Sequence, residues 1–461
     1  MKGNTHFIGI GGTGLSAIAR VLLERGEQVS GSDREESTLA ASLRQAGALV
    51  HIGHAAGHVN GAARVIRSSA ISEDNVEVQT ARAKGIPLYK RAEFLSHLLA
   101  DQQVIAVAGS HGKTTTTAMI AWLLTALNQR PGFIIGSVSQ NLGTNASAGA
   151  GRLFVIEADE YDNMFLGLSP QLALVTNVEY DHPDLFPTPA DFSQAFQHFV
   201  DRIQPNGTLL ASSDDPGARE LLSYAKKQSR ATYSYAHSHM DADYLAAELS
   251  QKSEKGFSFQ ALHGGKPMAE VRLQVPGLHN VSNALGALAA ADLLGLDVQE
   301  AAMALADFRG TARRFELRGE ERGVLVVDDY AHHPTEIRST LAAARAQYPR
   351  RRLWAVWQPH TYSRTRTLWG DFATSFGDAD CVLVTGVYAA REQRPAEFEM
   401  RTLINSIDHS NAVFTDRLDQ AGDYLMKELL PGDVVIIMSA GDATMLSERL
   451  LRELKKEDPH A

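Results

Sequence analysis

The sequence predicts an α/β protein of three units, each built on a mainly parallel sheet, and three observations carry that expectation. Short apolar runs alternate with helical patterns along most of the chain, and the alternation begins afresh at Thr5–Ile10, Val104–Ala108 and Val324–Asp328. Two of those opening strands run directly into a glycine-rich turn. Length agrees, because 461 residues with 44% apolar content exceed what one hydrophobic core organises. The expected units are residues 1–101, 102–312 and 313–461.

In order, the first unit offers the strands HFIGI, QVSGSD, ALVHIG and ARVIRSS and closes after a helix around Phe94–Leu99. The second offers QVIAVAG, FIIG, LFVIEAD, LALVTN and GTLLAS. Between about Asp241 and Val275 the period falls to two, with turn signals at Lys255-Gly256 and His263-Gly264-Gly265, so a small antiparallel piece attached to the middle unit is expected. Helices at Asn283–Leu294 and Val298–Phe308 follow, and Arg309-Gly310-Thr311-Ala312 reads as a hinge. The last unit supplies VLVVDDY, RLWAVWQ, DCVLVTG and DVVIIMSAG.

Composition narrows the function. A net charge of −10 disfavours a broad nucleic-acid or anionic-membrane surface. No run approaches the ~20 apolar residues of a membrane span, and the N-terminus turns glycine-rich where a signal peptide would carry its apolar stretch. The single cysteine, Cys381, rules out an internal disulfide and sits in the apolar run Cys381–Val384, which suits the core better than a nucleophile. A soluble cytoplasmic protein without nucleic-acid or membrane partners is expected.

The densest chemistry lies in Val104–Thr117, where an apolar strand meets Gly109-Ser110-His111-Gly112-Lys113-Thr114-Thr115 and then a helical run. Glycines at 109 and 112 let backbone N–H groups turn inward, Lys113 can reach a terminal phosphate, and Thr114 can offer a hydroxyl to magnesium at the positive helix end. This is the loop of a P-loop ATPase-type sheet, and ATP is the expected nucleotide. A second cluster, Gly9-Ile10-Gly11-Gly12-Thr13-Gly14, follows the first strand, with Asp33 ending the next. It is a Rossmann-like fingerprint for a pyrophosphate and a ribose, which a nicotinamide cofactor and a nucleotide sugar both present.

Other polar residues gather at strand ends. Glu157, in Phe154–Glu160, suits a magnesium ligand, and one strand later Leu174–His182 delivers an imidazole to the same edge. Asn280 and Asn283 open a helix, where either also suits a cap. Arg313, Arg314 and the adjacent His332 and His333 flank the start of the third unit; paired histidines before a Pro-initiated helix suit a polar site, since buried imidazoles each need partners. Gln358–Arg366 follows a strand and carries Arg364 and Arg366, a natural receptor for a carboxylate.

Taken in chain order, Gly9–Gly14, Gly109–Thr117, Glu157–Glu160, Thr176–His182, His279–Asn283, Arg313–Phe315, Asp328–Glu336, Gln358–His360, Tyr362–Arg366 and Tyr388–Glu392 resemble the Mur ligases of peptidoglycan precursor synthesis, within them the alanine-adding branch. The resemblance implies a Rossmann-like N-terminal domain for the UDP-sugar, a central ATP-binding domain and a Rossmann-like C-terminal domain for the amino acid. It implies UDP-N-acetylmuramate, L-alanine and ATP as small-molecule substrates, with Mg2+ or Mn2+, in a monomer or homodimer. Gly11, Gly12, Thr13, Gly14, Asp33 and Ser69 would face the UDP-sugar. Gly109, Ser110, His111, Gly112, Lys113, Thr114, Thr115, Asn280, Arg314 and Asp329 would contact ATP. Thr114, Glu157 and His182 would hold metal, while His332, His360, Tyr362, Arg364 and Arg366 would lie near the amino acid. Lys113, Glu157, His182 and His332 would be catalytic, His332 by helping to remove the amine's proton.

Two departures stand out. Sibling ligases carry a modified lysine shortly after the position of His182, yet no lysine lies between Lys113 and Lys226, which fits the alanine-adding branch. Position 361, between His360 and Tyr362, is threonine where some members have arginine. A murein tripeptide ligase is the near alternative. A nicotinamide-dependent oxidoreductase or an ATP-gated binding module leaves Glu157, His182 and the arginine motif without a role.

Overall fold

The computed structural model describes residues 3–251 and 256–456, so Lys255 of the expected turn and the outermost chain ends lie outside the described residues. The first sheet holds β1 (Asn4–Ile8), β2 (Val29–Asp33), β3 (Leu49–Ile52), β4 (Ala62–Arg67) and β5 (Leu88–Lys90) in the order β3-β2-β1-β4-β5, all parallel. Central β1 is sealed on both faces, with Phe7 and Ile8 fully buried.

The middle sheet has ten strands: β6 (Gln103–Ala108), β7 (Gly132–Ile134), β8 (Ala146–Ser147), β9 (Leu153–Glu157), β10 (Leu172–Val175), β11 (Thr208–Ser212), β12 (Ala231–Ala236), β13 (Tyr244–Ser250), β14 (Ser258–His263) and β15 (Lys266–Arg272). Their order is β15-β14-β13-β12-β11-β10-β6-β9-β7-β8. The antiparallel hairpins are therefore not an appendage. Strand β13 pairs parallel with β12 through Tyr235–Tyr244, so β14 and β15 continue the same sheet. Buried Tyr244 fixes that continuation by donating its hydroxyl to Asp292 at 2.7 Å, on the covering helix Leu278–Leu293.

The third sheet holds β16 (Glu316–Glu321), β17 (Val324–Asp329), β18 (Leu353–Trp357), β19 (Cys381–Val384), β20 (Ala412–Phe414) and β21 (Val434–Met438), in the order β16-β17-β21-β18-β19-β20. Strand β21, wholly apolar and buried, inserts between β17 and β18, while β16 adds an antiparallel edge. Cys381 is half-buried at the start of β19, and burial pushes its thiol pKa up, away from nucleophile chemistry. Among the described residues no helix is long and apolar enough to cross a membrane.

The stretch read as a hinge is strapped down. Thr311 is fully buried and bridges Ser139; Gln140 N donates to Gly310 O at 3.0 Å and Ala312 N to Val138 O at 2.9 Å. The unusual backbone lies just beyond, where Arg313 and Phe315 take φ of 57° and 47°. Any swivel of the third sheet thus belongs after Ala312. The carboxyl ends of β1, β6, β9, β10, β17 and β18 carry the loops that meet in one cleft, the place where parallel sheets gather ligands.

Candidate active site

The loop after β6 is fixed by its neighbours before any ligand is considered. Gly109 has φ +135°, and a Cβ there would stand 2.0 Å from Thr176 Oγ1; Gly112 has φ +79° and faces Asn283. Ser110 Oγ donates to Glu179 O at 2.6 Å, and His111 N donates to Asn177 Oδ1 at 2.8 Å. Lys113 opens the helix Lys113–Ala126 and turns Nζ back onto Ser110 O at 3.2 Å and Glu160 at 2.8 Å. Burial opposes the lysine's charge, but Glu160 and Asp159 outweigh it and raise its pKa.

Thr114 Oγ1 donates to Glu157 Oε1 at 3.0 Å, and Gly136 N donates to Glu157 Oε2 at 2.6 Å. Burial raises the pKa of Glu157 despite nearby Lys113, the state of a carboxylate short of positive charge. A hydroxyl beside such a carboxylate is a hard-oxygen donor pair that fits a divalent cation. His182, with φ +55°, presents Nε2 to Glu160 Oε1 at 3.5 Å, while Arg364 donates to its Nδ1 at 3.2 Å. In this arrangement Nε2 carries the proton and the ring has no lone pair left for a metal ion.

Arg364, on the helix Tyr362–Thr367, links the third unit to the second. Only 2% exposed, it donates to Asp181 Oδ1 at 2.7 Å and Oδ2 at 3.2 Å, and to His360 Nδ1 at 2.9 Å. Although burial resists it, Arg364 holds the Asp181 pKa well below the usual carboxylate range. A parallel clasp joins His111 to Glu179 at 3.0 Å and to Glu336 at 3.3 Å, with Thr335 Oγ1 donating to Glu179 at 2.7 Å. Burial disfavours the His111 charge, but its bonds to Glu179 and Glu336 prevail and lift its pKa to about 9.

His332 behaves oppositely. Burial takes its pKa down to about 3 against the pull of Glu336. Its Nδ1–H donates to Tyr330 O at 2.9 Å, which leaves the Nε2 lone pair as an acceptor. Nearby Asp329 is raised to about 6 by burial, against Arg314 and the backbone N–H groups of Phe315 and Ala331, each at 2.7 Å.

Two cavities meet at Gly112. One, of about 750 Å3, is walled by Thr13, Gly14 and Arg91 of the first unit, by Ser110, Lys113, Thr114, Glu157 and His182 of the second, and by Arg314, His332, His360, Arg364 and Arg391 of the third. The other, of about 840 Å3, is lined by His111, Thr115, Asn280, Arg314 and Asp329. Gly11, Gly12, Asp33 and Ser69 line neither cavity, and Gly11 N donates to Asp33 Oδ2 at 2.8 Å. Arg366 is exposed and also lines neither, while Tyr362 faces a separate cavity of about 250 Å3. Sequence reasoning gave no role to Arg91, which donates to Asp159 at 3.1 Å across the first interface, nor to Asp181, Glu179 and Glu336. The last three lie inside the quoted motifs, which was their only signal, whereas Arg91 lies in none of them.

Residues 4–103 match the Mur ligase family, catalytic domain; residues 107–291 match the Mur ligase middle domain; and residues 313–441 match the Mur ligase, glutamate ligase domain. A UDP-N-acetylmuramate--L-alanine ligase of Roseiflexus sp. (strain RS-1) is 40% identical over 98% of this chain and 99% of its own length. One from Thermobifida fusca (strain YX) is 41% identical over 98% and 97%. Among solved structures, the UDP-N-acetylmuramate-alanine ligase of Thermotoga maritima is similar with a TM-score of 0.83 at 28% identity, covering 99% of this chain and 100% of that one. A murein peptide ligase of Psychrobacter arcticus 273-4 follows at 0.73 and 28%, covering 98% and 99%. With three consecutive domains matched and full-length relatives at this identity, the chain belongs to the Mur ligase family.

Proposed function

We propose that this chain joins L-alanine to the carboxylate of UDP-N-acetylmuramate at the expense of ATP, giving UDP-N-acetylmuramoyl-L-alanine, ADP and phosphate. The observation that carries the reading is one cavity walled by both glycine loops and by the imidazoles of the third sheet. The relatives' names agree with it. The nucleoside of ATP enters the larger cavity between Asn280, Arg314 and Asp329, and its phosphates pass over Gly112 to Lys113.

A carboxylate does not condense with an amine in water, because its leaving group is oxide. Its attack on the γ-phosphorus releases ADP and makes an acyl phosphate, whose leaving group is phosphate. Lys113 neutralises charge on the transferring group, and the loop N–H groups fix its direction. Thr114 and Glu157 would hold one magnesium or manganese ion, which supplies further charge neutralisation when bound. A metal role for His182 requires Arg364 to release Nδ1 first.

The amine of alanine then attacks the acyl carbon, and phosphate leaves. For that attack the amine must be neutral: His332 Nε2 takes a hydrogen bond from the ammonium and receives its proton, its basicity raised by the anionic reactants beside it, before the nitrogen lone pair reaches the acyl carbon. The test is phosphate release and product mass with UDP-N-acetylmuramate, ATP, Mg2+ and L-alanine, run beside the tripeptide L-Ala-γ-D-Glu-meso-diaminopimelate and beside NADH. Product with alanine alone is expected. Ligation of the tripeptide instead, or oxidation of NADH, would falsify the proposal. Lys113→Ala is expected to lower kcat by about 10^3-fold, and His332→Ala to lower it less and flatten its pH profile.

A further inference from the structure

The identity of the cation that meets the incoming carboxylate is open on geometric grounds, because Arg364 is already committed to Asp181 and His360. Arg313 donates to the backbone of Ser439 and Gly441, Arg314 lies 3.5 Å from Glu336, and Arg366 is outside the cavity. Arg391 differs from all of these. It lines the 750 Å3 cavity, its Nη1 donates to Tyr161 Oη at 2.7 Å, and its guanidinium lies 4.8 Å over the Tyr161 ring. That partner is a neutral phenol. Among the described residues no carboxylate forms an ion pair with Arg391 within 4.0 Å.

The segment that carries Arg391 is built onto the putting-together point of the cleft rather than hanging free. Tyr388 N donates to Pro359 O at 2.8 Å, Thr361 N donates to Tyr388 O at 2.9 Å, and the His360 and Tyr388 rings stack 5.7 Å apart. On the other side Glu392 accepts from Tyr362 N at 2.6 Å and Ser363 N at 2.9 Å. Between these pins the Arg391 side chain crosses to Tyr161 of the central unit, whose ring meets His182 edge-on at 5.1 Å. A guanidinium stacked on an aromatic face with its fork only partly used is prepared for a planar anion.

Resting on the ligase reading, we infer that Arg391 receives a substrate carboxylate in this cleft, that of the incoming amino acid, with Tyr161 as the platform that orients it. The lactyl group of the sugar nucleotide is also a carboxylate, so the experiment must separate the two. Steady-state kinetics of the full chain and of Arg391→Ala and Arg391→Lys would vary each substrate in turn, with L-alaninamide as the amine that lacks a carboxylate. One lost charge-assisted contact predicts a KM for L-alanine raised by about 10- to 100-fold in Arg391→Ala. The KM values for ATP and UDP-N-acetylmuramate stay within about twofold. Preference for L-alanine over L-alaninamide collapses in Arg391→Ala and returns in part in Arg391→Lys. The inference is overturned by an unchanged KM for alanine, by a rise confined to the sugar nucleotide, or by a rise in Arg366→Ala with Arg391→Ala silent. Absence of product from the unaltered chain overturns the ligase reading itself, and with it this assignment.

Discussion

Two clusters of buried acids and imidazoles use the same residue types to different ends. In the first unit Glu77, 0% exposed on the helix Val76–Ala83, accepts from Ser32 Oγ at 2.5 Å, Ala55 N at 3.1 Å and His58 Nδ1 at 2.7 Å, with His6 and His54 at 3.5 and 3.4 Å. Burial penalises its charge, but these bonds prevail and bring its pKa to about 2. Every partner belongs to one unit, so the cluster is complete once that unit has folded. In the cleft, Asp181 takes Arg364 and Glu336 takes His111 from another unit, the latter beside Arg314 of its own unit, so part of the charge balance forms only when two units meet. The origin of the partners, more than their chemistry, separates a staple from a site that can open.

The contrast can be broken most severely at Asp181. Asp181→Asn leaves Arg364 buried beside a neutral amide, and kcat/KM should fall about 10^2- to 10^3-fold, with denaturant unfolding of the first unit unmoved. Glu77→Gln should do the reverse: about 3 kcal/mol of stability lost by denaturant titration, because buried donors lose their acceptor, with kcat within about twofold. A smaller effect concerns His111, whose folded pKa is raised. Its contribution to the closed arrangement is complete below its ordinary value of 6.5 and is lost as pH rises through about 9. Small-angle scattering with substrates bound should show expansion over that range, and none of this dependence should survive in Glu336→Gln. The smallest effect is acid-side: Glu77 stabilisation is present above 4.5 and lost as pH falls through about 2, so Glu77→Gln should show a shallower loss of stability in that window.

Legibility in the sequence followed distance along the chain. Gly109, Gly112, Lys113 and Thr114 lie within six positions, and their roles follow from local backbone and side-chain reach. The Asp181–Arg364 pair spans 183 positions, and nothing at either end names the other. The arginine motif divides for a geometric reason. Tyr362, Arg364 and Arg366 would share a face if extended, but the helix Tyr362–Thr367 turns alternate residues about 200° apart. Arg364 therefore faces inward and Arg366 faces solvent. Strand β12 escaped notice because Ala-Thr-Tyr-Ser-Tyr-Ala is half polar, and only its pairing with β11 and β13 makes it central.

By itself the sequence determined the strand runs, the phosphate-binding loop and the family pattern, since each is written in periodicity or in neighbouring residues. Tertiary structure alone decided which acids and imidazoles share a charge. His111 and His332 begin with the same intrinsic basicity and end near 9 and 3, because one is held between two carboxylates and the other is desolvated with its nearest N–H on a carbonyl. Burial and cross-unit contact set those values, and both exist only once distant segments have packed together.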